Sequence, residues 1–296
     1  MKLLITGAYG FVGSNLCRHL VKHGHACDAL DVPSAIHQDL PYQQTFTWDN
    51  LEALKPHLKG YTAIIHLAGK AHDLKKVSSP QSYFDINVGL TKQIFELSRG
   101  QVAKFIYFSS SKALDADTPY GQSKKEAEAF LGNDAIILRP AMIHGPGNKG
   151  NLNLLWKVAK IGLPWPLAAF ENRRSFASVG NVCAAVEQLC IKGENGIYPI
   201  ADDTPLSTNR IIELMAQVQH RTPRLWRIPK SFMLIAAKMG DLLHLPLNTE
   251  RLLKLTEDSL IDNTMLKQAL DWEAMPIQAE AGLIATLNAF NEKAVQ

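Results

Sequence analysis

Apolar residues in the first half of the chain fall into two alternating kinds of run. Short unbroken runs, Leu3-Leu4-Ile5, Ala63-Ile64-Ile65-His66-Leu67, Phe105-Ile106-Tyr107-Phe108 and Ala135-Ile136-Ile137-Leu138, have the length of strands buried on both faces. Between them the apolar positions space out. Leu16, Leu20 and Val21 recur at helical intervals before a basic last turn and a glycine stop at Lys22-His23-Gly24. Ala26 to Leu30 reads as a second strand, and Leu51 to Leu58, Gln81 to Ser98 and Pro119 to Leu131 as further helices. This alternation predicts an α/β fold, a doubly wound parallel sheet with helices on both faces. The rhythm breaks at Gly145-Pro146-Gly147, which divides the chain into a domain at 1–147 and a smaller, mostly helical one at 148–296. Gly196 to Ala201 reads as one more strand, so a segment near 176–203 is expected to pack back on the first domain.

In such a sheet, ligands sit beyond the carboxyl ends of the strands. Those ends carry Gly7, Asp31, Ala68-Gly69, Ser109-Ser110-Ser111 and Arg139-Pro140. The first is the most specific. Thr6-Gly7-Ala8-Tyr9-Gly10-Phe11-Val12-Gly13 follows a strand and opens a helix, with glycines where the chain must turn sharply and approach a ligand. Asp31 ends the next strand, where a dinucleotide site places the carboxylate that holds the adenine ribose hydroxyls. Val32-Pro33-Ser34 brings no cation to meet a 2′-phosphate, so the predicted cofactor is NAD rather than NADP.

Tyr120 and Lys124 form a YxxxK pair one helical turn apart. A cation beside a phenol favours phenolate, bringing an acid/base group toward working pH. A solvated helix face is the plainer reading, but the pair follows directly on a strand ending in three serines.

The spacing GxxGxxG, with Thr ahead of it and Phe between the last two glycines, resembles the extended short-chain dehydrogenase/reductase family, in particular its nucleotide-sugar epimerase and dehydratase group. The resemblance implies a Rossmann domain with NAD, a substrate domain, and chemistry at C4 of a UDP- or dTDP-hexose. It implies catalytic roles for Ser111 (with Ser110 as rival), Tyr120 and Lys124. Cofactor contacts are implied for Gly7, Tyr9, Gly10, Phe11, Val12, Gly13, Asp31, the loop Leu67-Ala68-Gly69, Asn87, Tyr120 and Lys124. Gly150-Asn151-Leu152 and Asn172-Arg173-Arg174 resemble segments that meet the substrate diphosphate, through Asn151 and Arg174. Ser259-Leu260-Ile261-Asp262 and Leu270-Asp271-Trp272 resemble the family's tail, with Asp271 replacing the usual Gly. Arg251 and Lys254 are alternatives for a late basic contact. Two departures stand out. Only eight residues separate Ser111 from Tyr120, and Lys112-Ala113 stands where 4,6-dehydratases carry Asp-Glu. The expected reaction is therefore 4-epimerisation, with 4-keto reduction as the alternative and a non-catalytic dinucleotide sensor as a lesser one.

Composition adds limits. A formal charge of +3 is too small for nucleic acid or an anionic membrane, and suits a small anionic substrate. Cys17, Cys27, Cys183 and Cys190 show no paired spacing, which fits a reducing cytoplasm; Cys183 and Cys190 read as core filler. A strand beginning at Lys2 leaves no room for a signal peptide. Phe232 to Leu247 is strongly apolar but contains Lys238, Asp241 and Pro246, so it cannot span a bilayer and reads as a buried or interface helix rather than a membrane anchor. His19, His23 and His25 read as exposed, with no metal site. Apolar Ile86, Leu90, Ile94 and Phe130 on two helices point to a homodimer through a four-helix interface.

Overall fold

A computed structural model describes residues 1–37, 39–71, 79–148, 151–245 and 247–292. In chain order the strands are β1 (Lys2–Thr6), β2 (Ala26–Asp31), β3 (Thr45–Thr47), β4 (Ala63–His66), β5 (Lys104–Phe108), β6 (Ile136–Pro140), β7 (Met142–His144), β8 (Phe176–Ser178) and β9 (Gly196–Ile200). The helices are α1 (Phe11–Lys22), α2 (Gln81–Asn87), α3 (Gly89–Ser98), α4 (Lys112–Asp115), α5 (Pro119–Leu131), α6 (Asn151–Ile161) and α7 (Val179–Lys192). They continue with α8 (Thr208–Val218), α9 (Lys230–Leu243), α10 (Thr249–Thr256), α11 (Thr264–Leu270) and α12 (Ala279–Glu292).

The first compact unit comprises Met1–Ala141, Val179–Ile200 and Asp262–Pro276. Its sheet is entirely parallel, in the order β3-β2-β1-β4-β5-β6-β9. Strands β1 and β4, separated in sequence by β2 and β3, pair directly at the point where the order reverses, which is the doubly wound signature. The unbroken apolar runs are fully buried: Leu3, Leu4, Ile5, Ile64, Ile65 and Ile106 have no exposed surface. The second unit comprises Met142–Ser178, Ala201–Ile261 and Ile277–Gln296. It holds the two-stranded ribbon β7-β8 and packs its helices on a core that includes Trp156, Trp165, Ile211, Leu283 and Phe290.

Besides its N-terminal stretch, the first unit thus takes in Val179–Ile200, which lies within 176–203, and Asp262–Pro276. Within that last piece, Asp271 ends α11 in the left-handed region at φ 52°. Its short side chain tolerates that conformation, the role Gly fills at helix ends, and its carboxylate meets Lys192 Nζ at 2.7 Å.

Several local expectations need correction. Leu51 to Leu58 is not an α-helix but two 3₁₀ turns, Leu51–Ala53 and Lys55–Gly60, because Pro56 lacks the amide that a continuous helix needs there. Gln81 to Ser98 is interrupted at Val88, ahead of Gly89, whose helix propensity is poor. Ile94 is fully buried in its own subunit's core, so it is not available to a dimer face; Ile86, Leu90 and Phe130 are half-buried. The stretch after Phe232 is not buried as a whole, since α9 exposes one side, and Pro246 lies outside the described residues.

The histidines also differ from expectation. His19 Nε2 and His23 Nδ1 each lie 2.8 Å from Glu187 Oε2, and His25 Nε2 lies 2.9 Å from Glu187 Oε1. His19 and His25 are half-buried because α1 packs against α7. The four cysteines are free and buried, and burial raises the thiols of Cys183 and Cys190 to about 12, consistent with inert core filler. Among the described residues no helix is long and apolar enough to cross a membrane.

Candidate active site

The glycine-rich turn is fixed from three sides. Gly7 has φ +63°, and a Cβ there would lie 2.8 Å from the Ala68 nitrogen, so the turn can pass the end of β4 only as glycine. Tyr42 Oη, from a segment without regular structure, donates to Ala8 O at 2.7 Å. Asp31 Oδ2 accepts from the Tyr9 amide at 2.9 Å and Oδ1 from the Val32 amide at 2.8 Å. Each carboxylate oxygen keeps a second lone pair for a ribose hydroxyl. Tyr9 Oη reaches Thr45 Oγ1 at 3.1 Å, laying the ring across the ends of β2 and β3. Helix α1 starts at Gly10 with no side-chain cap, which leaves the first-turn amides around Phe11, Val12 and Gly13 for a ligand. Free amides at a helix start, a close-packed glycine turn and a carboxylate at the next strand end fit a dinucleotide.

The second loop is built from the buried end of β4. His66 is fully buried between Thr6 Oγ1 at 2.7 Å and Thr91 Oγ1 at 3.0 Å, and Thr6 Oγ1 also accepts from the Ala68 amide. Burial, and then the charge of Lys124, lower the His66 pKa to about 3, so it is a neutral strut. Leu67-Ala68-Gly69 is thereby set against the glycine turn. Asn87 holds the next residue: its Oδ1 accepts from Lys70 N at 2.7 Å, and its Nδ2 donates to Lys70 O at 3.1 Å and Ser123 Oγ at 2.9 Å. The amide is completely buried, so Asn87 ties the loop to α5 and is not a surface residue. A Cβ on Gly69 would come within 2.8 Å of Asn87 Oδ1 and 3.2 Å of Lys124 Nζ.

Helix α5 presents the acid/base candidates. Thr118 caps it by accepting from the Gly121 amide at 3.2 Å, and Pro119 takes the first helical position, so Tyr120 sits in the first turn. Loss of water around the phenol raises the Tyr120 pKa, and the hydroxyl of Ser110 opposes that rise. Lys124 is buried one turn on. Its Nζ donates to Phe108 O at 2.7 Å and lies 4.8 Å from the centre of the Tyr107 ring. Burial lowers its pKa to about 7, with Glu128 opposing. The expected lowering of the phenol by the lysine is thus not what the structure has: desolvation dominates at both groups. Ser110 is the serine set against Tyr120; Ser111 precedes the short α4 without a side-chain cap bond, its amide on Pro140 O at 3.0 Å. Ser109 serves the strand end through its amide on Leu138 O.

Sequence reading missed the supports: Tyr42, the Thr6–His66–Thr91 chain, and Tyr83, whose ring lies 6.3 Å from that of Tyr120. Thr6, His66 and Thr91 each stood in a legible motif, but the chain that joins them did not. In the second unit, Asn151 opens α6 but its side chain lies outside the described residues, as does Gly150. Arg173 pairs with Asp258 at 3.5 Å, whereas the half-buried Arg174 guanidinium donates to the Lys254 carbonyl. Lys254 is itself paired with Glu250.

Comparison with known proteins decides the family. Residues 3–201 match the profile of the NAD dependent epimerase/dehydratase family. The chain belongs to this family. It is accordingly an NAD-dependent enzyme. It is 26% identical to the UDP-glucose 4-epimerase of Vibrio cholerae over 326 aligned positions, covering 97% of this chain and 95% of that protein. A UDP-2-acetamido-2,6-beta-L-arabino-hexul-4-ose reductase of Pseudomonas aeruginosa is 32% identical over 52% of this chain and 38% of its own length. The fold matches that of a UDP-N-acetylglucosamine 4-epimerase from Bacillus cereus with TM-score 0.73 at 17% identity, over 99% of this chain and 96% of that one.

Proposed function

We propose that this family member is a 4-epimerase acting at C4 of a nucleotide-linked hexose, a UDP- or dTDP-sugar, in cytoplasmic synthesis of surface-polysaccharide sugars. The observation that carries the proposal is the grouping of Ser110 with Tyr120, and of Lys124 with Gly69 in the loop that abuts the glycine turn, in a family member that lacks an acid pair at Lys112-Ala113. When bound, NAD supplies the acceptor and donor for the C4 hydride. Tyr120 as phenolate takes the proton from the 4-hydroxyl and returns it to the 4-oxygen when the alcohol re-forms. Ser110 steadies the phenol, and Ser111, one residue on, is assigned the reacting oxygen. Lys124 is assigned to the nicotinamide ribose as well as the phenol. Asn151 and Arg174 are assigned to the substrate diphosphate, the guanidinium offering two-point binding that an ammonium lacks.

One alternative has its own support. The same groups run in one direction make a 4-keto reductase, and the similarity to the Pseudomonas reductase favours that reading over part of the chain. Incubation with a panel of UDP- and dTDP-hexoses and their 4-keto forms separates the two. An epimerase equilibrates C4 isomers with catalytic NAD and no net NADH change. Stoichiometric NADH loss on a keto sugar, without isomer exchange, would replace epimerase by reductase. Retention of both Tyr120 and Lys124 argues against a purely sensing role.

A further inference from the structure

Helix α9 lies in the second unit and carries apolar residues on two opposite sides, with Lys230, Ser231, Lys238 and Asp241 on a strip between them. Met233, Ala237 and Gly240 recur at helical spacing on the side it buries. Phe232, Ile235, Met239 and Leu242 form the opposite stripe, and they are 67%, 58%, 56% and 80% exposed. A helix that is apolar on both sides ordinarily has both sides covered. The strand-like segment that leads into it adds Trp226, 57% exposed, whose amide donates to Trp165 O and whose carbonyl accepts from the Ala168 amide.

The charge around this stripe is one-sided. Residues 221–245 contain Arg221, Arg224, Arg227, Lys230 and Lys238 against one acid, Asp241. Asp241 accepts from the Thr249 amide at 3.0 Å and from its hydroxyl and keeps its charge, so five cations stand against one carboxylate. Among the described residues none of the five cations is in an ion pair. Arg221 donates to Lys160 O at 2.9 Å, and Lys230 Nζ lies over the Phe170 ring at 5.6 Å, contacts that leave the charges in place. The net charge of +3 hides this patch because acids elsewhere in the chain cancel it.

We propose that α9 and the segment before it dock on an anionic lipid bilayer, the helix lying in the interface plane with Phe232, Ile235, Met239 and Leu242 among the acyl chains. Exposed aromatic and aliphatic side chains on one face, with Arg and Lys beside them, are the composition of interfacial helices. A second copy of the chain fits less well. A two-fold contact sets a patch against itself, so unpaired cations would meet cations. An anionic surface meets them with opposite charge.

The test uses the full chain and vesicle flotation. Vesicles of phosphatidylcholine with about a third phosphatidylglycerol are expected to carry the protein up, and pure phosphatidylcholine vesicles are not. Raising salt to about 0.5 M should weaken the anionic binding about tenfold or more. The triple variant Phe232→Ser/Ile235→Ser/Leu242→Ser and, separately, Arg224→Ser/Arg227→Ser should each weaken it about tenfold. NAD binding serves as the control for folding in both. Failure of the parent to float with anionic vesicles overturns the proposal, as does flotation that neither variant reduces. So does a parent that is dimeric by light scattering and becomes monomeric in the triple variant without vesicle binding, because a second copy then covers the face.

Discussion

Replacing Asn87 by alanine tests whether the cofactor loop is held by one buried amide. The wild-type side chain satisfies the Lys70 amide, the Lys70 carbonyl and Ser123 Oγ, and Ser123 in turn donates to the Tyr120 carbonyl at 2.8 Å. Alanine strands both backbone groups of Lys70. A buried polar group left without a partner costs about 1–3 kcal/mol, and Lys70 is half-buried, so the two together come to about 2–4 kcal/mol. The vacated volume admits water, which puts the result toward the low end. Urea unfolding of the cofactor-free protein measures the stability loss. Calorimetry should also find NAD affinity reduced about tenfold, about 1.4 kcal/mol, because Leu67 to Gly69 lose their anchor. A variant within about 0.5 kcal/mol of the parent, with unchanged NAD affinity, would refute the argument that Asn87 sets this loop.

Tyr120→Phe should leave NAD binding nearly intact while turnover on whichever sugar is accepted falls by about 10²–10⁴; full activity would remove Tyr120 from the mechanism. Lys124 has a folded pKa of about 7 against about 10.4 unfolded, so between those values only the unfolded chain keeps the proton and stability rises with pH, by up to about 1.4 kcal/mol per unit. Cofactor-free Lys124→Met should therefore gain most on the parent near pH 6 and least near pH 10, by urea unfolding, and it should bind NAD more weakly; parallel stability curves would contradict the burial of an ionisable amine. NAD should bind at least about tenfold more tightly than NADP, because Asp31 meets the added phosphate as a like charge; equal affinities by calorimetry would count against that role. Light scattering at micromolar concentration should find a dimer, and a monomer there would remove α2, α3 and α5 as an interface.

The parallel sheet was legible because strands covered on both faces are written as unbroken apolar runs, and β1, β4, β5 and β6 all are. Residues of the glycine turn and Asp31 were legible because close approach and charge restrict the choice to very few side chains. What the sequence hid was long-range. Glu187 lies 162 to 168 positions from the histidines it gathers, and nothing local to either segment announces the other. The return of Asp262–Pro276 to the first unit depends on where Leu266 and Leu270 find a core, which periodicity within a seven-residue helix cannot say. Apolar residues on two sides of α9 read as burial or as an interface, and only the fold shows which side is left outward.

The acid/base pair shows why residue spacing alone gives half of a mechanism. YxxxK placed Tyr120 and Lys124 one turn apart, and the simple inference was that ammonium would draw the phenol toward phenolate. In the folded chain burial acts on both: it raises Tyr120 and lowers Lys124, so each resists its charged form. The Lys124 ammonium is meanwhile directed at the Phe108 carbonyl, at the end of the strand that carries the serines. The Ser110 hydroxyl works in the direction of phenolate. Ser110→Ala should accordingly move the ascending limb of the rate profile, on which the phenolate forms, to higher pH, whereas Ser111→Ala should lower turnover at every pH and leave the limb where it is. A limb that moves with Ser111 and not with Ser110 would reverse the two assignments, and would mean that the phenol takes its polar partner from the start of α4.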